Sequence, residues 1–538
     1  MITPELAAQV RHWIAHDPDA GDRAELSALL DQDDESALAD RFSGPLEFGT
    51  AGLRGPLRAG PNGMNRAVVR NTAAGLVAYL AEQKVPGPLV IGYDARHRSH
   101  EFAVETARVA VAAGRAAVIL PRPLPTPVLA YAIRAIGASA GVMVTASHNP
   151  PGDNGYKVYL ADGAQIAPPT DALIAAHIAA LGHPNEIPVA DVDSAGFSTL
   201  PERCVQNYVD QIAALVEVKA TPKPRIAYTP LHGVGAETVT RVFTTAGFDA
   251  PHIVPKQAEP DPDFPTVNFP NPEEPGALDL LIEHANAIHA DLAIANDPDA
   301  DRCAVVVPLT QPGTWRALTG DELGTLLADH LMTKDVRGTF VTTIVSSSML
   351  RSLCVARDRP YVETLTGFKW IMRALDDAGP IGAGTDIVYG YEEALGYAVA
   401  PHLVRDKDGI SAALLVSELA QELRARNLTL LDRLEQLNDE LGAHHTSQVS
   451  IRARTSAELG ALMRRLRAEP PAELAGENVS CEDLAPRTDA LIFRGKTIRV
   501  VIRPSGTEPK LKAYLEVTGG SANLLAELSQ QVTDLLNE

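Results

Sequence analysis

The sequence predicts an α/β protein of several domains, most of them built on mainly parallel sheets. Short apolar strands alternate with polar or glycine-rich loops and helical segments along most of the 538 residues. Such alternation is typical of parallel sheets covered by helices. A chain of this length is also too long for a single hydrophobic core, which indicates about three or four domains. After Gln448 the pattern changes to two strands around one turn and a final helix, which predicts a smaller α+β domain.

The same pattern defines the individual elements. The predicted strands are residues 88–94, 140–144, 225–228, 291–295, 338–346, 497–503 and 511–517, and the predicted helices are residues 101–117, 238–246, 349–357 and 523–536. Ligands of such sheets bind at the carboxyl ends of strands, and the unusual loops of this chain lie at those ends. The proline-rich residues 259–275 cannot form a regular helix or a central strand, so we predict a long ordered loop there. Residues 310–314 and 442–446 resemble domain junctions.

Composition and charge exclude several classes of protein. The formal net charge of −21 repels nucleic acid, so we expect no nucleic-acid partner. We find no run of about 18 apolar residues that would span a membrane, and the first 20 residues lack the pattern of a signal peptide. The four cysteines are widely spaced, which argues against a disulfide scaffold or a cysteine-based zinc site and indicates a reducing cytoplasm. A phosphorylated ligand would need arginines, lysines and a metal ion to offset the acidic surface.

The strand at 140–144 ends in the loop Thr-Ala-Ser-His-Asn-Pro, which contains Ser147 and His148. A serine at a strand end beside a turn-forming Asn-Pro is exposed enough to act as a nucleophile. Lys157, ten residues later, could return to the same site as a proton carrier. The alternative is a capping loop with a solvent-facing serine. A serine hydrolase is not indicated, because the side chains of adjacent residues diverge and no Gly-x-Ser-x-Gly motif is present in this loop.

A second motif, Asp-Pro-Asp-Ala-Asp-Arg, follows the strand at 291–295. Its alternating aspartates, Asp297, Asp299 and Asp301, point the same way on an extended backbone and can converge on one hard cation such as Mg²⁺. An EF-hand calcium loop is excluded, because Arg302 stands at its glycine position and Pro308 at its twelfth position. A solvated acidic turn is the other alternative, although an apolar strand leads directly into this one.

Three further loops carry weaker signals. The turn Arg503–Lys510 offers backbone N–H groups, two hydroxyls and a guanidinium, which suit a phosphate site or an ordinary hairpin turn. In the segment Gly390–Tyr397, Glu392 and Glu393 could accept hydrogen bonds from sugar hydroxyls or could begin a helix. The glycine-rich loop Phe48–Gly55 contains Arg54 and suits a close approach of the backbone to a ligand.

Taken together and in this order, the motifs resemble the α-D-phosphohexomutase superfamily of phosphoglucomutases and phosphomannomutases. The resemblance runs from the Phe48 loop to the Lys510 turn and leaves about 45 N-terminal residues uncovered, which we expect to be a helical extension. It implies three similar mixed α/β domains and a smaller α+β domain around a central cleft. We place the domains at residues 1–203, 204–312, 313–440 and 441–538.

The resemblance also implies a role for each candidate residue. The catalytic candidates are Ser147 as the phosphorylated nucleophile, Lys157 as general acid and base, Arg54 near the reacting oxygen, and His148. The magnesium ligands are Asp297, Asp299, Asp301 and the phosphate on Ser147. The candidate substrate-binding residues are Arg302, Gly367, Lys369, Glu392 and Lys407. The site for the non-reacting phosphate consists of Arg503, Ser505, Gly506 and Thr507. The general-base role requires a lowered pKa at Lys157, because a free lysine titrates near ~10.4.

The implied reaction interconverts a sugar 1-phosphate and 6-phosphate, with mannose or glucose as the sugar, through a bisphosphorylated intermediate. A sugar 1,6-bisphosphate is the expected activator, and the protein is expected to be a cytoplasmic monomer or homodimer. Ala394 stands where many glucose enzymes have serine, which leaves the sugar open and keeps a phosphopentomutase as an alternative. A sugar bisphosphate synthase and a phosphatase would use the same residues. A sensor with a dead site is disfavoured, because Ser147, Lys157 and the three aspartates are all intact.

Overall fold

The structure is a computed structural model that describes residues 1–46, 52–219, 222–376, 386–452, 456–505, 510–520 and 522–537. The chain forms two compact units. The first unit comprises residues 1–318 and 396–421, and the second comprises residues 319–395 and 422–538. Within the described residues, every helix is too short or too polar to cross a bilayer.

The N-terminal extension is helical, as predicted. It contains α1 (Pro4–His16), α2 (Ala20–Asp31) and α3 (Glu35–Arg41). Side chains cap the start of all three helices: Thr3 accepts a hydrogen bond from the backbone of α1, Asp19 from that of α2 and Asp34 from that of α3. The helices enclose a small apolar cluster of their own, which consists of Val10, Leu26 and Leu38 together with Ala59.

The first sheet has six strands and is mixed, with three of its five strand pairings parallel. Its elements are β1 (Leu53–Pro56), α4 (Arg66–Glu82), β2 (Leu89–Tyr93), α5 (Ser99–Ala112), β3 (Ala117–Ile119), α6 (Thr126–Ala135), β4 (Ala140–Val144), β5 (Asp153–Leu160), α7 (Thr170–Ala179) and β6 (Phe197–Thr199), followed by α8 (Glu202–Ala213). The strand order is β1-β5-β4-β2-β3-β6. Strands β4, β2, β3 and β6 run parallel, whereas β5 and β1 are antiparallel to their neighbours. Strand β5 was not predicted, and it places Lys157 directly beside Met143 of β4.

An ion-pair network joins the extension to the start of α5. Arg98 donates to Asp22 at 3.0 Å and to Asp19 at 3.1 Å. Arg98 precedes Ser99, the first residue of α5, and stands only two residues after Arg96, whose role is described below. Burial raises the pKa of Asp22 to about 6, although the charge of Arg98 acts in the opposite direction.

This raised pKa predicts a pH-dependent stability. Between pH 4 and pH 6 the folded protein holds a proton on Asp22 that the unfolded chain has lost, so this residue makes folding less favourable as the pH rises. We expect wild type to lose about 1 kcal/mol of unfolding free energy relative to Asp22→Asn between pH 5 and pH 8. Thermal unfolding of both proteins at the two pH values measures this difference. An unchanged difference would show that Asp22 titrates normally.

The second sheet combines parallel strands with an antiparallel edge. Its elements are β7 (Ile226–Thr229), α9 (Gly235–Ala246), β8 (His252–Ile253), α10 (Asp279–Ala287), β9 (Leu292–Ala295), β10 (Ala304–Pro308) and β11 (Trp315–Ala317), in the sheet order β11-β10-β9-β7-β8. Residues 259–275 contain no helix or strand, in agreement with the predicted loop. Residues 310–314 form the turn of the hairpin of β10 and β11 rather than a domain junction, and the predicted boundary at 312/313 falls inside that hairpin.

The second unit contains a parallel sheet and an antiparallel one. The elements from residue 320 to residue 441 are α11 (Gly320–Thr333), β12 (Thr339–Thr343), α12 (Met349–Ala356), β13 (Tyr361–Thr364), α13 (Phe368–Ile371), β14 (Ile387–Glu392), β15 (Gly396–Ala398), α14 (Gly409–Arg424) and α15 (Leu430–Leu441). Strands β13 and β14 flank β12 and run parallel to it. Strand β15 and most of α14 lie in the returning segment 396–421, which belongs to the first unit.

The C-terminal region has the α+β character that the sequence predicts. Its elements are β16 (His444–Arg452), α16 (Ser456–Ala468), β17 (Glu473–Leu474), β18 (Glu477–Asn478), β19 (Ser480–Asp483), β20 (Leu491–Arg494), β21 (Ile498–Pro504), β22 (Lys510–Thr518) and α17 (Ala522–Asn537). The antiparallel sheet has the order β16-β22-β21-β20-β19. Apolar side chains of this sheet pack against α16 and α17, and they include Phe493, Val500 and Leu515.

Candidate active site

Ser147 lies in the loop after β4 and is held in an unusual backbone conformation. Its φ of 52° falls in the left-handed region, which costs a non-glycine residue free energy and requires support from its surroundings. Its backbone N–H donates to the hydroxyl of Thr145 at 2.9 Å. Its own hydroxyl donates to Oδ2 of Asp297 at 2.7 Å and lies 3.2 Å from Nδ1 of His148. The serine side chain therefore points directly at the first residue of the aspartate motif.

Arg96 holds the serine loop in this conformation. Its guanidinium donates through Nη2 to the carbonyl oxygens of Ser147 and Asn149, both at 2.6 Å, and through Nη1 to that of Pro150 at 2.8 Å. The side chain also lies over the ring of Phe264, 4.8 Å from its centroid. The sequence analysis missed Arg96. The signal that could have found it is its position just after β2, beside the carboxyl end of the strand that leads to Ser147.

The three aspartates converge after β9. Their carboxylate oxygens lie within 4.8 Å of one another, and all three side chains are buried. One oxygen of Asp299 and one of Asp301 are buried without a hydrogen-bond partner. Buried carboxylates of this kind require a cation, and a cluster of hard oxygen ligands suits Mg²⁺. The residues present therefore fit a magnesium ion.

Two lysines approach the same carboxylates. Nζ of Lys157 lies 2.7 Å from Asp299 and 2.8 Å from Asp301, and Nζ of Lys407 lies 3.4 Å from Asp301. Burial acts to lower the pKa of Lys157, but the charges of Asp299 and Asp301 outweigh it, so the pKa is raised. This differs from the lowered pKa that a general base requires. The physical reason is the direct pairing with two carboxylates, for which a divalent cation would compete.

The two groups that contact the hydroxyl of Ser147, Asp297 and His148, both have shifted pKa values. Burial, and then the charges of Asp299 and Asp301, raise the pKa of Asp297. Burial, and then the charges of Arg302 and Arg54, lower the pKa of His148. The imidazole of His148 is therefore neutral at neutral pH, and it can exchange a hydrogen bond with the serine hydroxyl without adding charge.

Two arginines stand beside this centre. Arg54 is on β1, is half-buried, and donates to Oδ1 of Asn149 at 2.9 Å. The backbone N–H of Arg302 donates to Oδ1 of Asp297 at 3.0 Å, and its guanidinium lies 3.4 Å from Glu273. Both cationic groups are thus positioned within the region of Ser147 and the aspartates.

The loop that carries the three aspartates is fixed by contacts that were not predicted from the sequence. Thr126, the first residue of α6, donates its backbone N–H to the carbonyl oxygen of Asp299 at 2.9 Å and its hydroxyl to Oδ2 of the same residue at 2.5 Å. Gly409 donates its backbone N–H to the carbonyl oxygen of Ala300 at 3.2 Å. A Cβ at Gly409 would lie 2.2 Å from the carbonyl oxygen of Arg302, so this close approach requires glycine.

The returning segment 396–421 completes the centre. Asp406 accepts hydrogen bonds from the hydroxyl of Tyr159 at 2.7 Å and from the amide of Gln165 at 2.8 Å. Asp408 accepts one from the hydroxyl of Tyr208 at 3.0 Å. These bonds fix both neighbours of Lys407 and thereby fix the position of the second lysine.

Comparison with known proteins decides the family. Four sequence models described as phosphoglucomutase/phosphomannomutase match this chain: alpha/beta/alpha domain I at residues 45–184, domain II at 206–310, domain III at 319–438 and the C-terminal domain at 457–535. The chain belongs to the phosphoglucomutase/phosphomannomutase family. The predicted fold class and the predicted isomerase class, a phosphosugar mutase, are thereby confirmed.

Individual relatives of this family cover almost the whole chain. A probable phosphomannomutase from Haemophilus influenzae is 43% identical over 492 residues, which are 88% of this chain and 98% of that protein. A probable phosphoribomutase from Schizosaccharomyces pombe is 36% identical and covers 97% of this chain and 95% of that protein. The crystal structure of a phosphoglucomutase/phosphomannomutase family protein from Burkholderia thailandensis has a TM-score of 0.71 at 19% identity, covering 91% and 96% of the two chains, and shows the same fold.

The second unit of this phosphoglucomutase/phosphomannomutase family member carries the remaining predicted residues. Gly367, with φ of 110°, precedes the short helix α13, on which Lys369 is mostly buried and lies 5.8 Å from the ring of Trp370. Glu392 is the last residue of β14 and does not begin a helix. Arg503 lies on β21, opposite Lys512 of β22.

Part of the predicted phosphate turn can also be placed. The backbone N–H of Ser505 donates to the carbonyl oxygen of Lys510 at 2.7 Å, which closes the β21–β22 hairpin. Gly506 and Thr507 lie outside the described residues, as do residues 48–51 of the glycine-rich loop.

Proposed function

We propose that this protein is a Mg²⁺-dependent mutase that interconverts the 1-phosphate and the 6-phosphate of one sugar, mannose or glucose. A phosphoserine at Ser147 would give its phosphoryl group to the free hydroxyl of the sugar monophosphate, and the serine would then take the other phosphoryl group from the bisphosphate that forms. The observation that carries this proposal is the 2.7 Å hydrogen bond from the Ser147 hydroxyl to Asp297 within a buried cluster of three aspartates. A phosphoryl group on that hydroxyl would add oxygen ligands next to the carboxylates. Bound Mg²⁺ would offset negative charge on the group being transferred.

Each residue of the centre has a proposed part. Asp297, Asp299 and Asp301 would hold the metal ion, and Ser147 would give its phosphoryl group to a sugar hydroxyl. Lys157 would accept the proton of that hydroxyl and return it, which requires the bound ion to take over Asp299 and Asp301 and so remove the charges that raise the pKa of this lysine. We assign Arg54 and Arg302 to the phosphoryl oxygens, because guanidinium groups bind phosphate with several N–H donors. We assign the neutral His148 to the orientation of the serine oxygen.

Burial supports transfer to sugar rather than to water. The side chains of Ser147, Lys157 and the three aspartates are at most 2% exposed. A site that excludes water protects a phosphoserine from hydrolysis between the two half-reactions. A sugar 1,6-bisphosphate would reload the serine whenever its phosphoryl group is lost, which makes this compound the proposed activator.

The remaining candidate residues would bind the rest of the substrate. We propose that Gly367, Lys369, Glu392 and Lys407 bind the sugar. We propose that Arg503 and Ser505, with Gly506 and Thr507, bind the phosphate that does not react. The predicted boundaries at 203/204 and 440/441, the central cleft, the cytoplasmic location and the monomeric or dimeric state stay predictions.

The identity of the sugar is tested by phosphorus NMR on a panel of substrates. Purified protein is incubated with Mg²⁺, a trace of glucose 1,6-bisphosphate and the 1-phosphate of mannose, glucose, glucosamine or ribose. We expect the mannose or glucose 1-phosphate to become the 6-phosphate. Conversion of ribose 1-phosphate alone would instead establish a phosphopentomutase, a possibility that the phosphoribomutase relative supports.

Other outcomes of the same experiment would overturn the proposal. Accumulation of inorganic phosphate would identify a phosphatase. A sugar bisphosphate formed only after addition of another phosphoryl donor would identify a synthase. No change with any sugar would favour a phosphosugar sensor.

Removal of the metal ion should stop the reaction. Chelation with EDTA is expected to lower kcat by at least about 100-fold, because the ion contributes several kcal/mol of transition-state charge stabilisation. Addition of excess Mg²⁺ should restore the rate, and thermal unfolding should show a higher midpoint with Mg²⁺ than with EDTA. Full activity in EDTA would contradict the assignment of the aspartate cluster to the metal.

A further inference from the structure

Three histidines form a cluster away from the residues assigned to catalysis. His12 and His16 are on α1, and His183 directly precedes the 3-10 turn Pro184–Glu186. Their ring nitrogens include one candidate ligand atom each, and these atoms lie within 4.8 Å of one another. The ring centroids of His16 and His183 are 3.5 Å apart, and His12 lies 4.5 Å from the first and 5.0 Å from the second.

The sequence spacing and one hydrogen bond prepare the cluster for a metal ion. Residues four positions apart lie on one face of a helix, so His12 and His16 present their rings on the same side of α1. Nδ1 of His16 lies 2.8 Å from the carbonyl oxygen of His12 and donates to it. This bond fixes the proton on Nδ1 and leaves the lone pair of Nε2 for a ligand. Such support by a backbone carbonyl is typical of metal-binding histidines.

We propose that His12, His16 and His183 form a binding site for one divalent transition ion of the Zn²⁺ class. Neutral imidazole is the preferred ligand of such ions, whereas Mg²⁺ prefers oxygen. The wide spacing of the cysteines argues only against a cysteine-based zinc site. It does not bear on this site, because all three proposed ligands are imidazoles. His12 is exposed and the other two are half-buried, so an ion and a water molecule as fourth ligand can reach them. The proposal does not depend on the proposed function.

The ion would join two parts of the first unit. Helix α1 belongs to the N-terminal extension, which precedes the first residue matched by the family at position 45, whereas His183 lies within the matched first domain. In tetrahedral zinc sites the ligand nitrogens lie about 3.3 Å apart, which follows from Zn–N distances of about 2.05 Å. The rings of His16 and His183 are stacked, so binding of the ion requires rotation of these side chains to bring the three nitrogens to that distance. A bound ion would thus cross-link α1 to the turn at residues 183–186.

Calorimetric titration of the full chain with Zn²⁺ tests the site. The protein is first stripped with EDTA and desalted, and the titration contains millimolar Mg²⁺ to keep that ion on the aspartate cluster. We expect one saturable Zn²⁺ site in wild type and at least a tenfold weaker affinity in His12→Gln, His16→Gln and His183→Gln. His252→Gln, which removes an exposed histidine on β8, should bind as wild type does.

Hydrogen exchange gives a second readout that does not depend on affinity alone. Zn²⁺ should slow exchange of the amides of α1 in wild type and leave it unchanged in His183→Gln, although that substitution lies outside α1. Equal Zn²⁺ titrations of wild type and all three variants would overturn the proposal. Zn²⁺ binding that is lost in Asp297→Asn and retained in the histidine variants would overturn it as well, because the ion would then occupy the aspartate cluster.

Discussion

Substitution of Ser147 by Ala is expected to lower kcat by roughly 10⁴-fold or more, because the proposed nucleophile and carrier of the phosphoryl group is removed. The side chain of Ser147 contacts Asp297 and His148 through its hydroxyl, whereas Arg96 holds the loop through backbone carbonyl oxygens. Alanine therefore removes the hydroxyl oxygen and leaves the hydrogen bonds from Arg96 to the loop intact. Phosphorus NMR of the preferred sugar 1-phosphate measures the rate.

The control for this variant is a second buried serine of the same sheet. The hydroxyl of Ser139, just before β4, donates to the carbonyl oxygen of Pro88 at 2.9 Å, and Ser139→Ala should keep the wild-type rate within a few-fold. Mass spectrometry after incubation with glucose 1,6-bisphosphate should find phosphate on the Ser147 peptide in wild type and in Ser139→Ala. Turnover by Ser147→Ala at more than a tenth of the wild-type rate would rule out the phosphoserine route.

Substitution of Lys157 by Met should damage stability and activity by separate routes. Met is similar in length to Lys but leaves the buried carboxylates of Asp299 and Asp301 without their closest cation. Removal of one partner of a buried ion pair costs about 3–5 kcal/mol, so we expect a loss of this size in EDTA. Mg²⁺ should recover much of the lost stability, because it binds the same carboxylates. It should not recover the rate, because the proton carrier is gone.

Denaturant unfolding with EDTA and with Mg²⁺ measures the first effect, and phosphorus NMR measures the second. The control is Lys223→Met, which removes a surface ion pair to Asp249 at 3.2 Å and should change stability by less than about 1 kcal/mol in either buffer. If Mg²⁺ stabilised Lys157→Met no more than wild type, Lys157 would not be the cation that balances the aspartates. Wild-type turnover in the variant would remove Lys157 from the reaction.

The sequence predicted those parts of the fold and site that depend on local pattern. Strand β4 begins and ends at the predicted residues 140 and 144, and the loops after β4 and β9 bring Ser147 and the three aspartates together. The position of each loop follows from an apolar strand that ends abruptly in polar residues, because ligand loops lie at the carboxyl ends of such strands. The meeting of the two loops does not follow from local pattern, because β4 and β9 belong to different sheets. The three aspartates converge as predicted, but on a turn rather than on an extended chain: Ala300 has a φ of 54°, and its backbone N–H donates to the carbonyl oxygen of Asp297 at 2.8 Å.

The missed features depend on contacts between distant segments. Strand β5 follows two prolines and a glycine, so its polar start resembled a continuation of the serine loop, and only its pairing with β1 and β4 makes it a strand. Arg96 and Thr126 act on residues 51 and 173 positions away, respectively, which no local pattern shows. The raised pKa of Lys157 is of the same kind, because it arises from carboxylates that lie more than 140 residues further along the chain.

The route of the chain through the first unit bears on how this protein folds while it is being synthesised. Residues 1–318 leave the ribosome well before residues 396–421, yet the buried hydroxyls of Tyr159 and Tyr208 donate to Asp406 and Asp408 of the later segment. Domains generally fold as units in the order of their synthesis. Here the nascent first unit must wait, with polar groups of its core still unpaired, until the intervening residues 319–395 have been made. Chaperone binding to stalled nascent chains should therefore persist beyond residue 318 and fall only after residue 421 has emerged.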